Sequence, residues 1–338
     1  MSRAAVDPPG IGVRWSAVRR LAGYGAAATL SLYLLVKVIW IIGTLLGDGP
    51  KDNDMGAADF VALNTVTVGM SAIGIALGLA LAQPWGQRIP AWPLTIVAWV
   101  GAGFLVPLLP YMVASAVLDG KSGGGEGAIP AWEGTFLFIG FAGMAVGLVV
   151  ALPIYMRERW PAAFLGRLGD SPPAVGSARS PWSGFAVWAA VVVSSGLGLL
   201  WLYWAIGGTI GMDPAHHDLL DLNARLLTGS WGAWALIGAW SIWVITSRRQ
   251  GARLRLWIPT SLAFVASGSL FAWSSWKLPV AVWRPGDYVT PEYPVVAVVQ
   301  HALSISAGIA IITGLLRAHR AVRDIRGKLP RTTRRVDS

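Results

Sequence analysis

The chain has 338 residues, 54% of them hydrophobic and only 13% charged, with a net charge of +10 and no cysteine. Soluble chains carry about 25% charged residues, so this deficit, with a mean hydropathy of +0.56, excludes an ordinary soluble globule and points to an integral membrane protein. Without cysteine there are no disulfides, thiolate metal sites or cysteine nucleophiles.

A helix needs roughly 20 predominantly apolar residues to cross the hydrocarbon. The first such run covers 24–46 and is too long for a signal peptide, with no small-residue cleavage site after it, so it reads as an uncleaved helix. Within it, "SLYLLVKVIW" places Lys37 close to the midplane. The outer end near Gly47 is about ten residues away, roughly 15 Å, and a lysine side chain reaches only ~6 Å. Facing lipid there would cost about 2.5–3.5 kcal/mol, so Lys37 is expected to face the bundle interior or a wet cavity. Tyr33, Lys37, Trp40 and Thr44 share one helix face, and the two aromatic rings offer a cation–π environment. Lys37 then either binds an anionic or carbonyl-bearing ligand or takes part in proton movement, or it is a structural lysine that snorkels or bonds backbone carbonyls.

The second run, 60–82, carries Asp59 and Asn64 at its outer end and the pair Gly74/Gly78. The third, 93–117, contains Pro107 and Pro110, which predict a kink. The fourth, 134–155, holds Gly143/Gly147. A Pro-, Gly- and Arg-rich linker follows over 156–182. The fifth run is 184–206. The sixth and seventh, 230–246 and 257–276, are diluted by Trp and Ser, as in "WGAWALIGAWSIWVIT". Before the sixth, "MDPAHHDLLDLN" offers Asp213 as a helix start, and His217 with Asp221 at a spacing a divalent cation can use; no third well-spaced ligand supports a metal, and none is expected. The eighth run, 295–316, contains Gln300 and His301, with Ser304 and Gly308 on the same face as His301. One intramembrane histidine cannot supply the bis-His pair of a buried haem, so no cofactor is expected and His301 is assigned a hydrogen bond between helices. The small-residue pairs let helix backbones approach closely, within the chain or across a homo-oligomer contact. Trp92, Trp132, Trp182 and Trp257 fall near run ends as interface anchors.

Most Lys and Arg residues fall in alternate connections: Arg3, Arg14, Arg19 and Arg20; Arg88; Arg157, Arg159, Arg167 and Arg179; Arg248, Arg249, Arg253 and Arg255; and a basic tail from Arg317 to Arg335. The other connections hold only Lys51, Lys121, Arg225, Lys277 and Arg284 among cations, and carry most of the acidic residues. The positive-inside rule therefore puts both termini in the cytoplasm, as an even span count requires. The tail is expected to meet anionic lipid headgroups rather than nucleic acid.

The two halves resemble each other. "WIIGTLLG" at Trp40 matches "WAIGGTIG" at Trp204, "DFVALN" matches "DLLDLN", and Trp92, Gly103 and Gly143 match Trp257, Gly268 and Gly308 at a single offset. Four spans per half means parallel repeats. Lys37 then corresponds to Trp201, so the second half is expected to lack a matching cation. The element "LYWAIGG", Leu202 to Gly208, with its following Asp/Asn stretch, resembles a family of small actinobacterial four-helix membrane proteins of unknown function. That resemblance covers mainly the second half and implies a multi-pass protein of a bacterial inner membrane, with no chemistry attached.

The expected organisation is thus all-α and membrane-embedded: a cytoplasmic segment 1–20, a first four-helix repeat 21–155, the linker 156–182, a second repeat 183–316 and a basic tail 317–338. Candidate ligand-binding residues are Tyr33, Lys37, Trp40, Asn64, Asn223, Gln300 and His301. P-loop, dinucleotide, GxSxG and paired intramembrane carboxylate motifs are absent, which disfavours an ATPase, a hydrolase or a carboxylate-based proton pump. A small-molecule transporter or ligand-binding membrane protein is the leading expectation, and a non-catalytic scaffold or partner subunit the alternative.

Overall fold

The computed structural model describes residues 12–47, 56–118, 131–164, 166–168, 181–247, 253–284 and 289–328. Among them, regular structure is helical, with two isolated β-bridges and no strand. The helices are α1 (Val13–Leu45), α2 (Ala57–Ala82), α3 (Ala91–Leu105), α4 (Leu108–Leu118), α5 (Ala131–Arg159), α6 (Pro161–Phe164), α7 (Pro181–Ala205), α8 (Leu222–Ser247), α9 (Trp257–Trp283) and α10 (Pro294–Lys328); short 3-10 turns occupy Pro84–Gln87 and Pro214–Leu219.

Six stretches are each long and apolar enough to cross a membrane: α1, α2, α3 with α4, α5, α7 and the first part of α10. α8 and α9 fall outside that set. Their polar positions are turned inward: Ser230, Ser241 and Thr246 on α8, and Thr260, Ser267, Ser269 and Ser274 on α9, are buried. A helix enclosed by neighbours is under less pressure to be apolar all round than one bathed in lipid. α9 touches α3, α8 and α10.

Small residues set the helix pairing. On α1, Gly23 lies so close to Gly78 of α2 that an added Cβ would come within 2.7 Å of the Gly78 carbonyl oxygen. Gly140, Gly143 and Gly147 of α5 meet Tyr33, Thr29 and Ala26 of α1, and Gly308 of α10 lies against Ser267 and Phe271 of α9. The small-residue pairs noted in the sequence are therefore engaged inside the chain.

The neighbour pattern recurs. α1 packs on α2 and α5 as α7 packs on α8 and α10, and α3 touches α2 and α5 as α9 touches α8 and α10. The halves meet chiefly through α3 and α9, with a second contact of α4 on α8. At the α3–α9 crossing Gly103 faces Gly268, the Trp99 indole N–H donates to Ser267 Oγ at 2.9 Å, and the Trp99 and Phe271 rings stack 4.7 Å apart.

The kink expected in the third run is a break. α3 ends at Leu105, two turn residues follow, and α4 restarts at Leu108. Pro107 has no N–H and its ring clashes with the preceding turn. Carbonyls around the break are taken up by side chains of the other half: Trp273 Nε1 donates to Phe104 O at 3.1 Å and Ser230 Oγ to Pro107 O at 2.5 Å.

Helix ends run beyond the apolar runs. α1 begins at Val13, so Arg14, Arg19 and Arg20 lie on the helix, and α10 carries the start of the basic tail to Lys328. Arg19 is buried, donates to the Leu81 carbonyl and pairs with Glu158 at 3.3 Å. Arg159 donates to the carbonyls of Gln87 (2.9 Å) and Ile89 (2.5 Å), while Tyr155 OH donates to Gly86 O at 2.8 Å. These bonds fasten the α2–α3 connection to the end of α5. The acidic and basic positions expected in loops 48–55 and 119–130, Arg179, Arg248, Arg249 and the tail end 329–338 lie outside the described residues.

Candidate functional site

In the first half, Tyr33, Lys37 and Trp40 line up on α1. The Lys37 ammonium stands 4.0 Å from the Trp40 ring centroid and 5.5 Å from that of Tyr33. Trp40 Nε1 donates at 2.8 Å to Glu133 Oε2 on the first turn of α5, and the Glu133 side chain is buried. A carboxylate on the far edge of the indole complements the cation over its face. Glu133 is thus an internal partner of this group. Asn64 is buried on α2 and donates to the Phe60 carbonyl of its own helix at 2.8 Å. The Phe60 ring lies 6.2 Å from that of Trp40, which brings this part of α2 to the edge of the cluster.

A second cluster occupies the other half, and two of the predicted residues enter it. Trp201 Nε1 donates to Gln300 Oε1 at 2.6 Å, and Gln300 Nε2 donates to Glu292 Oε1 at 2.9 Å. His301 Nδ1 lies 3.3 Å from Ser274 Oγ on α9, the contact between helices assigned to it. One turn on, Ser304 Oγ donates to Leu270 O at 2.8 Å. The Lys277 ammonium sits 3.9 Å from the Trp231 ring centroid. Lys277, Glu292, Gln300 and His301 all line one small cavity of about 20 Å³, and the N–H of Trp231 on its wall is buried with no hydrogen-bond partner. Such a volume is about that of a single water-sized probe.

The segments around Met212 and Glu292 hold this cluster in place. Asp213 N donates to Pro291 O at 2.8 Å and Tyr293 N to Gly211 O at 3.1 Å, pairing Met212 with Glu292. Glu292 is thereby fixed two residues before Pro294 opens α10. Gly211 adopts φ +85°, a conformation that suits glycine.

The expected lack of a matching cation in the second half concerns the aligned position alone. Trp201 does replace Lys37 at the matching position of α7, but Lys277 brings an ammonium in from α9. Lys277 looked like a loop residue because its charge ends the apolar run, whereas α9 continues through Pro279 to Trp283. The only sequence signal was the local spacing: Trp273, Ser274 and Lys277 share a helical face, and that face turns inward. Glu292 had no such signal, because the pairing of two segments distant in sequence places it.

Asn223 does not join either cluster by any described bond; it lies half-buried in the first turn of α8. His217 and Asp221 do not share one helix face, as their i,i+4 spacing suggested. Asp213 caps the Pro214–Leu219 turn, accepting from Ala215 N at 3.0 Å, and also lies 3.2 Å from His216 Nδ1. Asp221 accepts from Ala224 N at 2.7 Å at the start of α8. His217 and Asp221 therefore belong to different elements, and the i,i+4 geometry is broken between them. No group of three His, Asp or Glu residues that could hold a metal occurs among the described residues.

Trp92, Trp132 and Trp257 are exposed at helix ends, as interface anchors would be; the side chain of Trp182 is outside the described residues. Compared with known protein families, curated proteins and solved structures, the chain matches none.

Proposed function

We propose that this is an eight-span protein of a bacterial plasma membrane that binds, and by extension transports, a small polar solute at two lysine–tryptophan sites within its helix bundle. α8 and α9 complete the eight spans, shielded from lipid by their neighbours. The solute is anionic or bears a carbonyl, matching the two ammonium groups. The observation that carries the reading is the convergence of Lys277, Glu292, Gln300 and His301 on one water-sized cavity, beside a buried Trp231 N–H with no hydrogen-bond partner, so that a solute larger than water enters only as the surrounding helices part. A purely structural lysine has no need of an adjacent donor without a partner; ionisable groups in the span region are costly and mark ligand or ion sites.

The same reading takes the chain as a tandem duplication related by an axis along the membrane normal. Under such an axis, equivalent residues touch each other only where it passes. Gly103 and Gly268 match in sequence and also face each other at the α3–α9 crossing, which supports placing the axis there. The distribution of Lys and Arg supports cytoplasmic termini.

Native mass spectrometry of the gently solubilised protein, beside folded Lys37→Leu and Lys277→Met variants, tests the reading. A defined non-lipid mass is expected on the wild type and absent from Lys277→Met, with Lys37→Leu reporting whether the first cluster shares the ligand. An identical lipid pattern in all three proteins would leave the scaffold or partner-subunit alternative in its place.

A further inference from the structure

The cavity of the second cluster is lined by charges of both signs, the Lys277 ammonium from α9 and the Glu292 carboxylate from the segment before α10. Opposite charges that share a cavity inside a bundle attract strongly, because little water screens them. Yet these two form no ion pair with each other. Glu292 Oε1 accepts from Gln300 Nε2 at 2.9 Å. No described residue accepts a hydrogen bond from Lys277, whose ammonium lies on the Trp231 ring instead, 3.9 Å from its centroid. The wall therefore offers a cationic donor at one place and a carboxylate at another.

Indoles make up much of the rest. Trp201, Trp204, Trp231 and Trp273 all line the cavity. Three are fixed by their own N–H groups: Trp201 donates to Gln300 Oε1 at 2.6 Å, Trp204 to the Ile210 carbonyl at 2.8 Å and Trp273 to the Phe104 carbonyl at 3.1 Å. Trp231 is the exception, with a buried N–H that has no acceptor, and its ring is the one that carries Lys277. Indole faces attract ammonium groups, the more so where water is excluded. Lys277 thus occupies the place that a cationic group of a ligand would take, and with its stem there the space left is about 20 Å³. A lysine stem is a flexible four-carbon chain. Drawn off the ring by a carboxylate, it would vacate room beside Trp231.

Resting on the reading of this cluster as a solute site, we propose that it selects a small zwitterion, an ammonium carboxylate of amino-acid size, and that Lys277 fills the ammonium position until such a solute displaces it. The solute carboxylate then takes Lys277 and the Trp231 N–H as donors, and its ammonium takes the indole faces and Glu292. A singly charged solute meets a like charge on the wall: an anion meets Glu292 and a cation meets Lys277. A zwitterion can turn each of its ends away from the like charge. Losing one hydrogen bond to a charged group costs about tenfold in affinity.

The test is equilibrium dialysis of the detergent-solubilised full chain against labelled glycine, glycine betaine, acetate or tetramethylammonium, for the wild type, Lys277→Met and Glu292→Gln. The wild type is expected to prefer a zwitterion to both single ions by about tenfold. Glu292→Gln, which keeps an acceptor for Gln300, should weaken zwitterion binding and strengthen that of acetate. Lys277→Met should lose the zwitterion and gain tetramethylammonium, since the Trp231 face is then free. A preference for glycine over its betaine would assign an N–H ammonium held by Glu292, and the reverse a quaternary ammonium held by the indoles. The wild-type series and Glu292→Gln carry the test if Lys277→Met does not fold. Acetate bound as tightly as the zwitterions, and lost in Lys277→Met, would overturn the zwitterion and leave the anionic solute site standing. Absence of Lys277-dependent binding for all four compounds would overturn the proposal, and the solute site itself falls only if the mass measurement above also finds no solute.

Discussion

Trp201 donates to Gln300, Gln300 to Glu292, and Lys277 stands over Trp231. This chain of contacts makes a single-residue prediction sharp. Trp201→Phe strips the donor and trims the indole to a single ring, leaving a buried Gln300 oxygen unsatisfied beside a small void, a combined loss of about 1–3 kcal/mol or more. Thermal unfolding in detergent should show a lowered midpoint; an unchanged midpoint would mean the bond contributes nothing. Gly86→Ala is a second case. An added Cβ would lie 1.8 Å from the Ala80 carbonyl oxygen, so the connection after α2 must shift, at a cost of about 1–3 kcal/mol in the same assay. The two lysines also show what a sequence can and cannot reveal at this scale. Lys37 was legible because apolar residues flank it on both sides. Lys277 and Glu292 sit at the ends of apolar runs, where a charge is indistinguishable from the start of a loop until the partner helix is known.

Among elements, the broken third span is the informative one. Pro107 and Pro110 announced a distortion, but sequence could not say that carbonyls beside the break would be claimed by Trp273 and Ser230 from the other half. Ser230→Ala should therefore weaken the contact between halves as well as the local fold, by about 1 kcal/mol, the scale of one buried hydrogen bond. Amide exchange would report it as faster exchange at both Leu108–Leu118 and the start of α8; exchange confined to α8 would refute the link. The apolar runs located the cores of the other helices, since lipid demands uninterrupted hydrophobicity there. They missed the ends, where Arg14 and Arg19 continue α1 and "LNARLLTGS" starts α8 at Leu222, because polar helical turns outside the hydrocarbon leave no hydropathy signal.

At the scale of the whole molecule, the halves are joined by the linker and by the surface around Gly103 and Gly268. The packing there is backbone against backbone: a Cβ on Gly103 would fall 2.1 Å from the Gly268 carbonyl carbon, and one on Gly268 2.4 Å from the Trp99 carbonyl oxygen. Neither obstacle is a movable side chain, so a larger residue must push α3 and α9 apart, with the Trp99–Ser267 bond and the Trp99–Phe271 stack in the same contact. If the halves are parallel copies that each fold around their own helix pairs, separation should not unfold either of them. Co-expressing the chain as two pieces cut within 169–180 should then give halves that co-purify through the wild-type surface. Gly268→Leu should abolish that co-purification while each half remains membrane-inserted and resistant to proteolysis. Degradation of the second half alone would mean that Gly268 supports the internal packing of α9 instead, and persistent co-purification would shift the main junction to the α4–α8 contact.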